Sequence, residues 1–493
     1  MRTLLAVTLL LAAYLLLAVG TATTKPPIMD EGWYADPAYN LVAGRGMGTT
    51  VLEPHGPRHQ GLADHTYWVM PLHIVTQAVL YRVVGEGLLT LRLLSVFWGL
   101  VLLGSLFQVL VRLGARDGPA LLGVALTAVC APLVPVMSVG RTDVMCAGLG
   151  MAGLATFLSL RDRGLGGALL AAQSLVVASG LTHPMGLAYQ VGLFLLVIRL
   201  DRGRLQWGHL AAVLGPCLVG GGLWALYILE APRDFLAQFL TSAEGRAGGA
   251  LAPWQAVRGE VHRLAEAFGL GVSHGGLGRL RAVHLGFISA GLFIGIADRS
   301  LRRSPPVSAL LGLAGAAAAI LLLVEGAKQG WYLVHLLPLW HGVVALVVAG
   351  EWKSGRIPRA LLAGVTVVVL LINLAGSAYL VWRNDRATSF QPVVDYLRGQ
   401  LREGDEVIAG AEFGFDLGFS RIRDDYRLGA LSGRRPRFIV LDGVYAGHIA
   451  EFEASEPSVH AHIRRLMDQE CQWVFHNDRY RVCEPSPAAS PAR

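Results

Sequence analysis

Charge is what this sequence has little of. Asp, Glu, Lys and Arg make up 16% of its 493 residues, where a soluble chain carries about 25%. The deficit is uneven. Long runs almost free of charge alternate with short charged clusters, which points away from a soluble globular enzyme and to a multi-span membrane protein. The formal charge of +7 sits mostly in short loops between the runs, so topology accounts for it and no nucleic-acid partner is expected. Cysteine is scarce as well, with five residues. Cys130, Cys146 and Cys217 fall inside hydrophobic runs and read as small apolar fillers. Cys471 and Cys483 flank a hairpin pattern outside the membrane; export would permit a disulfide there, and two thiols is the other reading. No internal repeat or inverted symmetry of the transporter kind is visible.

Eleven runs are long enough to be read as spans: 4–22, 88–111, 119–138, 144–160, 165–182, 185–199, 208–229, 283–297, 306–324, 331–349 and 359–382. A core of about 30 Å needs about 20 apolar residues, so the shorter runs need neighbours or interfacial flanks. The first run has a weak cleavage site at Thr21-Ala22-Thr23 and reads as an uncleaved helix rather than a signal peptide. Positive charge orients the set. If 66–84 lies in the outer interface without crossing, then Arg112/Arg116, Arg161/Arg163, Arg199/Arg202/Arg204, Arg299/Arg302/Arg303 and Lys353/Arg356/Arg359 share one side, the cytoplasm. The opposite face then gathers the chemistry-bearing residues. It receives the loop 51–65, the turn Gly140-Arg141-Thr142-Asp143, Thr182-His183-Pro184, a loop from Glu230 to Leu280 and Glu325-Gly326-Ala327-Lys328.

The pattern changes near residue 386. An amphipathic helix over 390–402, buried strands at 406–409 and 437–441, a helix over 459–467 and the hairpin suggest a small α/β domain. The expected fold class is an all-α polytopic membrane bundle, with about eleven spans plus juxtamembrane helices, and a small C-terminal α/β soluble domain. The expected division is 1–385 for the membrane catalytic part, with 23–87 its outer-face loop, 386–484 for the extracytoplasmic α/β domain, and a disordered Pro/Ala/Ser-rich tail at 485–493. That small domain carries no phosphate loop, triad or metal spacing, so it is expected to bind or position an acceptor.

The stretch Met29-Asp30-Glu31-Gly32-Trp33-Tyr34-Ala35-Asp36-Pro37 follows directly on the first run. A single acid at a helix end is usually a solvated flank; adjacent carboxylates with an aromatic pair at a membrane edge suit a general base in a partly dry site. Glu53, His55 and His59, with His65 and His73, have the ligand types for zinc but no recognised spacing, so a divalent metal is a weak candidate. His183 reads as a helix-end residue or a substrate contact. Trp33, Tyr34, Tyr67 and Trp68 read first as interfacial anchors, and sugar stacking is the lesser reading.

Several motifs stand in order: Asp30-Glu31-Gly32-Trp33-Tyr34, Gly44-Arg45-Gly46, His65 to Pro71, Arg92-Leu93-Leu94-Ser95, Arg141-Thr142-Asp143, His183-Pro184-Met185-Gly186, and Lys328 through Tyr332 to Pro338. Over residues 1–385 their order resembles the GT-C type membrane glycosyltransferases, in the branch of protein O-mannosyltransferases and lipid A aminoarabinose transferases. One departure is Met185, where Lys is common. The resemblance implies an inverting glycosyltransferase that takes a sugar from a polyprenyl-phosphate donor to an unidentified acceptor, lipid, glycan or protein. It implies Asp30 as general base, with Glu31 and Asp143 as further catalytic acids. Arg141 and Lys328 are implied for the lipid phosphate, with Tyr332, His183, Tyr34 and Arg45 as substrate contacts. The expected place is the cell inner or plasma membrane, among membrane lipids, with an extracytoplasmic site. The alternative is a transporter or lipid flippase; the scarcity of ionisable residues at mid-span weighs against it.

Overall fold

A computed structural model describes residues 2–271 and 276–486. Residues 487–493, most of the expected tail, lie outside it. The membrane part runs α1 (Arg2–Thr24), α2 (Met29–Val42), α3 (Pro71–Val84), α4 (Leu88–Arg112), α5 (Asp117–Ala128), α6 (Leu133–Val136), α7 (Thr142–Leu160), α8 (Leu165–Thr182) and α9 (Gly186–Asp201). It continues through α10 (His209–Ile228), α11 (Pro232–Leu251), α12 (Pro253–Ala267), α13 (Arg281–Ala297), α14 (Arg299–Arg303), α15 (Pro305–Val324), α16 (Leu337–Ser354) and α17 (Arg359–Arg383). Then come α18 (Gln391–Gln400), β1 (Val407–Ile408), α19 (Gly414–Leu417), β2 (Ile422–Arg423), β3 (Phe438–Leu441), α20 (Gly443–Ser455), α21 (Pro457–Arg465), β4 (Cys471–His476) and β5 (Arg481–Pro485).

Among the described residues, eight helices are long and apolar enough to cross a membrane. The architecture is the expected polytopic bundle with a small C-terminal sheet. The run 119–138 is not one helix: α5 ends at Ala128, and α6 is a single short turn starting after Pro132. Proline lacks the N–H that would carry a helix on and clashes with the preceding turn. The run 331–349 begins as a 3-10 helix, Gly330–His335, before α16. The expected loop 230–280 is largely helical, because Pro232 and Pro253 stand at the first position of α11 and α12, where a missing N–H costs nothing.

The chain divides into two compact units. The first holds α1 up to Ala22, Tyr67–His73 and Arg92–Val381. Its main apolar cluster runs from Tyr14 and Leu102 through Phe157 and Tyr189 to Leu310 and Val343. Arg92 is fully buried there and donates to the Ala22 carbonyl at 2.7 Å.

The second holds Thr23–Thr66, Ile74–Leu91 and the chain from Trp382 on. The first interhelical segment thus clusters with the C-terminal residues rather than with the bundle. Its sheet has the order β2-β1-β3-β5-β4, with β1 parallel to β2 and β3, and β5 antiparallel to β3 and β4. Ile408, Ile439 and Leu441 pack under α20 and α21 through Tyr445, Phe452, Val459 and Ile463. Cys471 and Cys483 form a disulfide across the β4–β5 hairpin.

Candidate active site

Two polar groups carry the sequence motifs, one in each unit. In the first unit, Arg141 stands just before α7 and Asp143 lies in its first turn. Unpaired helical N–H groups favour a carboxylate there. Arg141 Nε donates to Asp143 Oδ2 at 2.8 Å, and both side chains are almost wholly buried. The guanidinium also lies over the Trp331 ring, 4.9 Å from its centroid. Asp143 Oδ1 is buried and accepts no hydrogen bond among the described residues.

His183 follows the last residue of α8, and its Nδ1 accepts the Met185 N–H at 3.1 Å. The turn is closed by Gly186, whose N–H donates to the His183 carbonyl at 2.9 Å. A Cβ on Gly186 would lie 2.4 Å from the Gly180 backbone nitrogen, so the close of His183-Pro184-Met185-Gly186 admits no side chain. Tyr332 and His335 are three apart in a 3-10 helix, where such residues eclipse on one side. The Tyr332 ring lies 5.3 Å from that of His183. His335 Nδ1 meets the Tyr189 hydroxyl at 3.2 Å, and its Nε2 is buried without a partner among the described residues.

Asp143, His183 and His335 each bring a ligating atom within 4.8 Å of the others. A carboxylate and two imidazoles are a donor set for a divalent cation of the zinc type. The partnerless Asp143 Oδ1 and His335 Nε2 fit that use. His73, buried near the start of α3, feels the charge of Asp143.

The cations nearby are arranged differently from expectation. Lys328, at positive φ, donates to the Leu321 and Leu322 carbonyls at 2.7 and 2.9 Å and lies 3.1 Å from Glu260. Its ammonium therefore caps the end of α15. Arg263 on α12 was not singled out in the sequence. It is buried, pairs with Glu260 and lies 3.7 Å from Glu325, while its Nε and Nη1 have no hydrogen-bond acceptor among the described residues. Burial raises the Glu325 pKa, and the charges of Arg263 and Lys328 oppose the rise. His335 feels the charge of Arg263.

In the second unit, Asp30 and Glu31 open α2. Glu31 Oε2 accepts the Ile28 N–H at 3.0 Å, which makes it a cap. Asp30 is half-buried in the same turn and Tyr34 is buried. Asp36 takes the Thr50 N–H and, at 2.8 Å, the Val51 N–H. Burial raises its pKa, those N–H groups oppose the rise, and the charge of exposed Arg45 reaches it. Trp33 Nε1 donates to Asp424 at 2.8 Å. A Cβ on Gly32 would fall 2.3 Å from the Ala411 carbonyl carbon, so α2 sits directly on the 411–413 turn. Gly32→Ala is expected to lower stability by about 1–3 kcal/mol through overpacking and to displace Asp30. A thermal shift with parallel loss of activity checks this.

Glu53, His55 and His59 do not converge on a metal; the described residues contain no such group in that loop. Each is held elsewhere: Glu53 by Arg434 at 2.8 Å, His55 by Asp425 at 3.0 Å, and His59 by the His55 N–H. Burial brings the His59 pKa down to about 4, so it is neutral.

The arrangement of spans, interhelical segments and C-terminal sheet is the GT-C fold of membrane glycosyltransferases. ArnT from Cupriavidus metallidurans bound to undecaprenyl phosphate is similar over 99% of both chains, with a TM-score of 0.62 and 14% identity. Its apo state covers 97% of both chains at TM-score 0.60 and 15% identity. The Archaeoglobus fulgidus oligosaccharyltransferase in complex with Zn and sulfate covers 98% of this chain and 73% of its own, with TM-score 0.55 and 12% identity. No protein-family model matches the sequence, and no curated protein does.

Proposed function

We propose that the protein is an inverting glycosyltransferase that moves a sugar from a polyprenyl-phosphate donor to an acceptor hydroxyl at the extracytoplasmic membrane face. The end-to-end likeness to ArnT bound to undecaprenyl phosphate carries this reading. Asp30 takes the proton of the acceptor hydroxyl as its oxygen attacks the anomeric carbon. The carbon–oxygen bond to the phosphate breaks on the opposite face, which inverts that centre and releases polyprenyl phosphate. The leaving group needs no strong acid; fixed cations on its oxygens stabilise the developing charge. Arg263 is the first candidate for that task, since it is buried with N–H groups to offer. Arg141 is the second, and Lys328 serves only if its ammonium leaves the end of α15. Asp143, His183 and His335 would hold a divalent cation, whose charge would add to that stabilisation. Tyr332, Tyr34 and Arg45 remain candidate sugar contacts, and the domain from residue 386 to 484 the acceptor platform.

Mass spectrometry of lipid-linked sugars in a deletion strain is the primary test. Accumulation of one polyprenyl-phosphate sugar is expected; an unchanged pool, with no polyprenyl phosphate released by the purified protein, would overturn the reading. Arg263→Gln is expected to raise the donor KM about tenfold or more, the loss of a charge-assisted hydrogen bond of about 1.5–3 kcal/mol. Initial rates against donor concentration measure it.

A further inference from the structure

A second cluster lies inside the first unit and takes no part in the reading above. Cys130 sits in the turn after α5, His284 near the start of α13 and His341 in the first turns of α16. All three are wholly buried, and one ligating atom from each lies within 4.8 Å of the other two.

The hydrogen bonds around the two imidazoles set the tautomer of His284 and bear on that of His341. Asn373 Nδ2 donates to the Val369 carbonyl at 2.8 Å, and its Oδ1 accepts the Ala131 N–H at 3.0 Å. The amide orientation is thereby set, and the Oδ1 that meets His284 Nδ1 at 3.2 Å can only accept. His284 therefore carries its proton on Nδ1. Thr127 Oγ1 lies 2.9 Å from the Gly123 carbonyl and 3.0 Å from His341 Nδ1; with its one proton on the carbonyl, it accepts from His341 Nδ1. In that arrangement His341 carries its proton on Nδ1 as well. Both rings thus turn an Nε2 lone pair inward, and these two atoms stand 3.2 Å apart.

In that arrangement two lone pairs face each other, which needs a cation between them; with the Thr127 proton turned to His341 Nδ1, a His341 Nε2–H would instead donate to His284 Nε2. A proton would make one ring an imidazolium, and neither ring has an ion pair with a carboxylate among the described residues. Phe268, Thr127 and Asn373 beside the two rings are uncharged. The N···N spacing is instead close to the edge of about 3.3 Å that metal–nitrogen bonds of about 2.0–2.1 Å give in a tetrahedral site. Each ligating ring donates its outer N–H to a fixed oxygen, as metal-bound histidines do.

We propose that Cys130, His284 and His341 form a structural site for a thiophilic d10 cation, Cu(I) before Zn(II). Charge decides the order. Binding releases the thiol proton of Cys130, and Cu(I) with one thiolate and two neutral imidazoles is neutral, whereas Zn(II) leaves a net positive charge in an apolar interior. The charge of Arg281, which reaches Cys130, adds to the cost of that surplus. No electron is transferred in binding. The cation would tie the end of α5 to α13 and α16, with Asn373 of α17 in the outer ring.

The test uses the full chain in nanodiscs, with Cys146→Ser and Cys217→Ser so that Cys130 is the one free thiol beside the disulfide. Titration with Cu(I) against a competing chelator is expected to show one bound equivalent. X-ray absorption should show one sulfur and two nitrogen ligands, and Cys130→Ser or His341→Gln should weaken binding at least tenfold. Zn(II) bound in the same one-sulfur, two-nitrogen shell while Cu(I) is refused keeps the site and overturns the charge argument. Should the variants fail to fold, the parent spectrum decides alone. A spectrum without sulfur, or no metal retained, overturns the proposal and leaves a neutral hydrogen bond from His341 Nε2 to His284 Nε2.

Discussion

Asp30→Asn is expected to lower kcat by about 10²–10⁴-fold, the range a positioned general base supplies. Asparagine matches the shape but cannot take a proton from the acceptor hydroxyl. The fold should survive, because in the same turn it is Glu31, not Asp30, that caps Ile28. Asp143→Asn should behave differently. Its partner Arg141 is almost wholly buried, and removing one member of a buried ion pair costs about 3–5 kcal/mol because the other charge is left uncompensated. Transfer and melting temperature measured together separate the two. Loss of transfer at an unchanged melting temperature marks Asp30 as a chemical group. Full activity in Asp30→Asn would remove it from the mechanism, while an Asp143→Asn protein of normal stability would show that Arg141 has another anion.

The membrane part was legible because its signals are local. A span announces itself by length and apolarity. The run 119–138 failed as one helix because apolarity does not report Pro132, which interrupts it from within. The segment 230–280 failed for a related reason. Proline suits a loop as well as a helix start, and here Pro232 and Pro253 stand at the first helical position of α11 and α12. In the C-terminal domain, β1 and β3 stood out as apolar runs, whereas β2 pairs one apolar residue with Arg423 and α20 has no clear stripe.

The candidate site was half legible. Arg141, Asp143 and His183 stood in motifs, but His335, which completes the group with Asp143 and His183, lies three residues beyond Tyr332, and the eclipsed spacing counts only once that turn is known to be 3-10. Arg263 came from a stretch read as a loop. Glu53, His55 and His59 misled in the other direction. Ligand types close in sequence were already held by Arg434, Asp425 and backbone from distant parts of the chain. Cys130 shows the same limit: its neighbours His284 and His341 are far away in sequence, so a filler and a ligand look alike.

The second large effect belongs to Asp424, which no motif marked. It is fully buried beneath the α2 motif. Its Oδ2 takes the Trp33 indole N–H at 2.8 Å and the Ala411 N–H at 3.2 Å, and its Oδ1 the Tyr445 hydroxyl at 2.9 Å. Burial pushes its carboxyl up to about 7, the three donors hold it down, and the charge of Asp442 adds to the rise. The ordinary value is about 3.9, so the folded protein holds a proton that the unfolded chain has lost between those values. The stability from this group is therefore fully present below pH ~4 and is lost as pH rises towards ~7, and the melting temperature should fall across that window. Asp424→Asn keeps every contact, with the amide oxygen on Trp33 and Ala411 and the amide N–H donating to a turned Tyr445 hydroxyl. It should fold normally and lose this part of the pH slope. Asp424→Ala leaves three buried donors bare at about 1–3 kcal/mol each, and should unfold the second unit or loosen α2 enough to cost transfer as well. Calorimetry of the three proteins from pH 4 to 8 measures both effects. A wild-type slope matching that of Asp424→Asn would mean that Asp424 is ionised throughout, its three donors having outweighed burial.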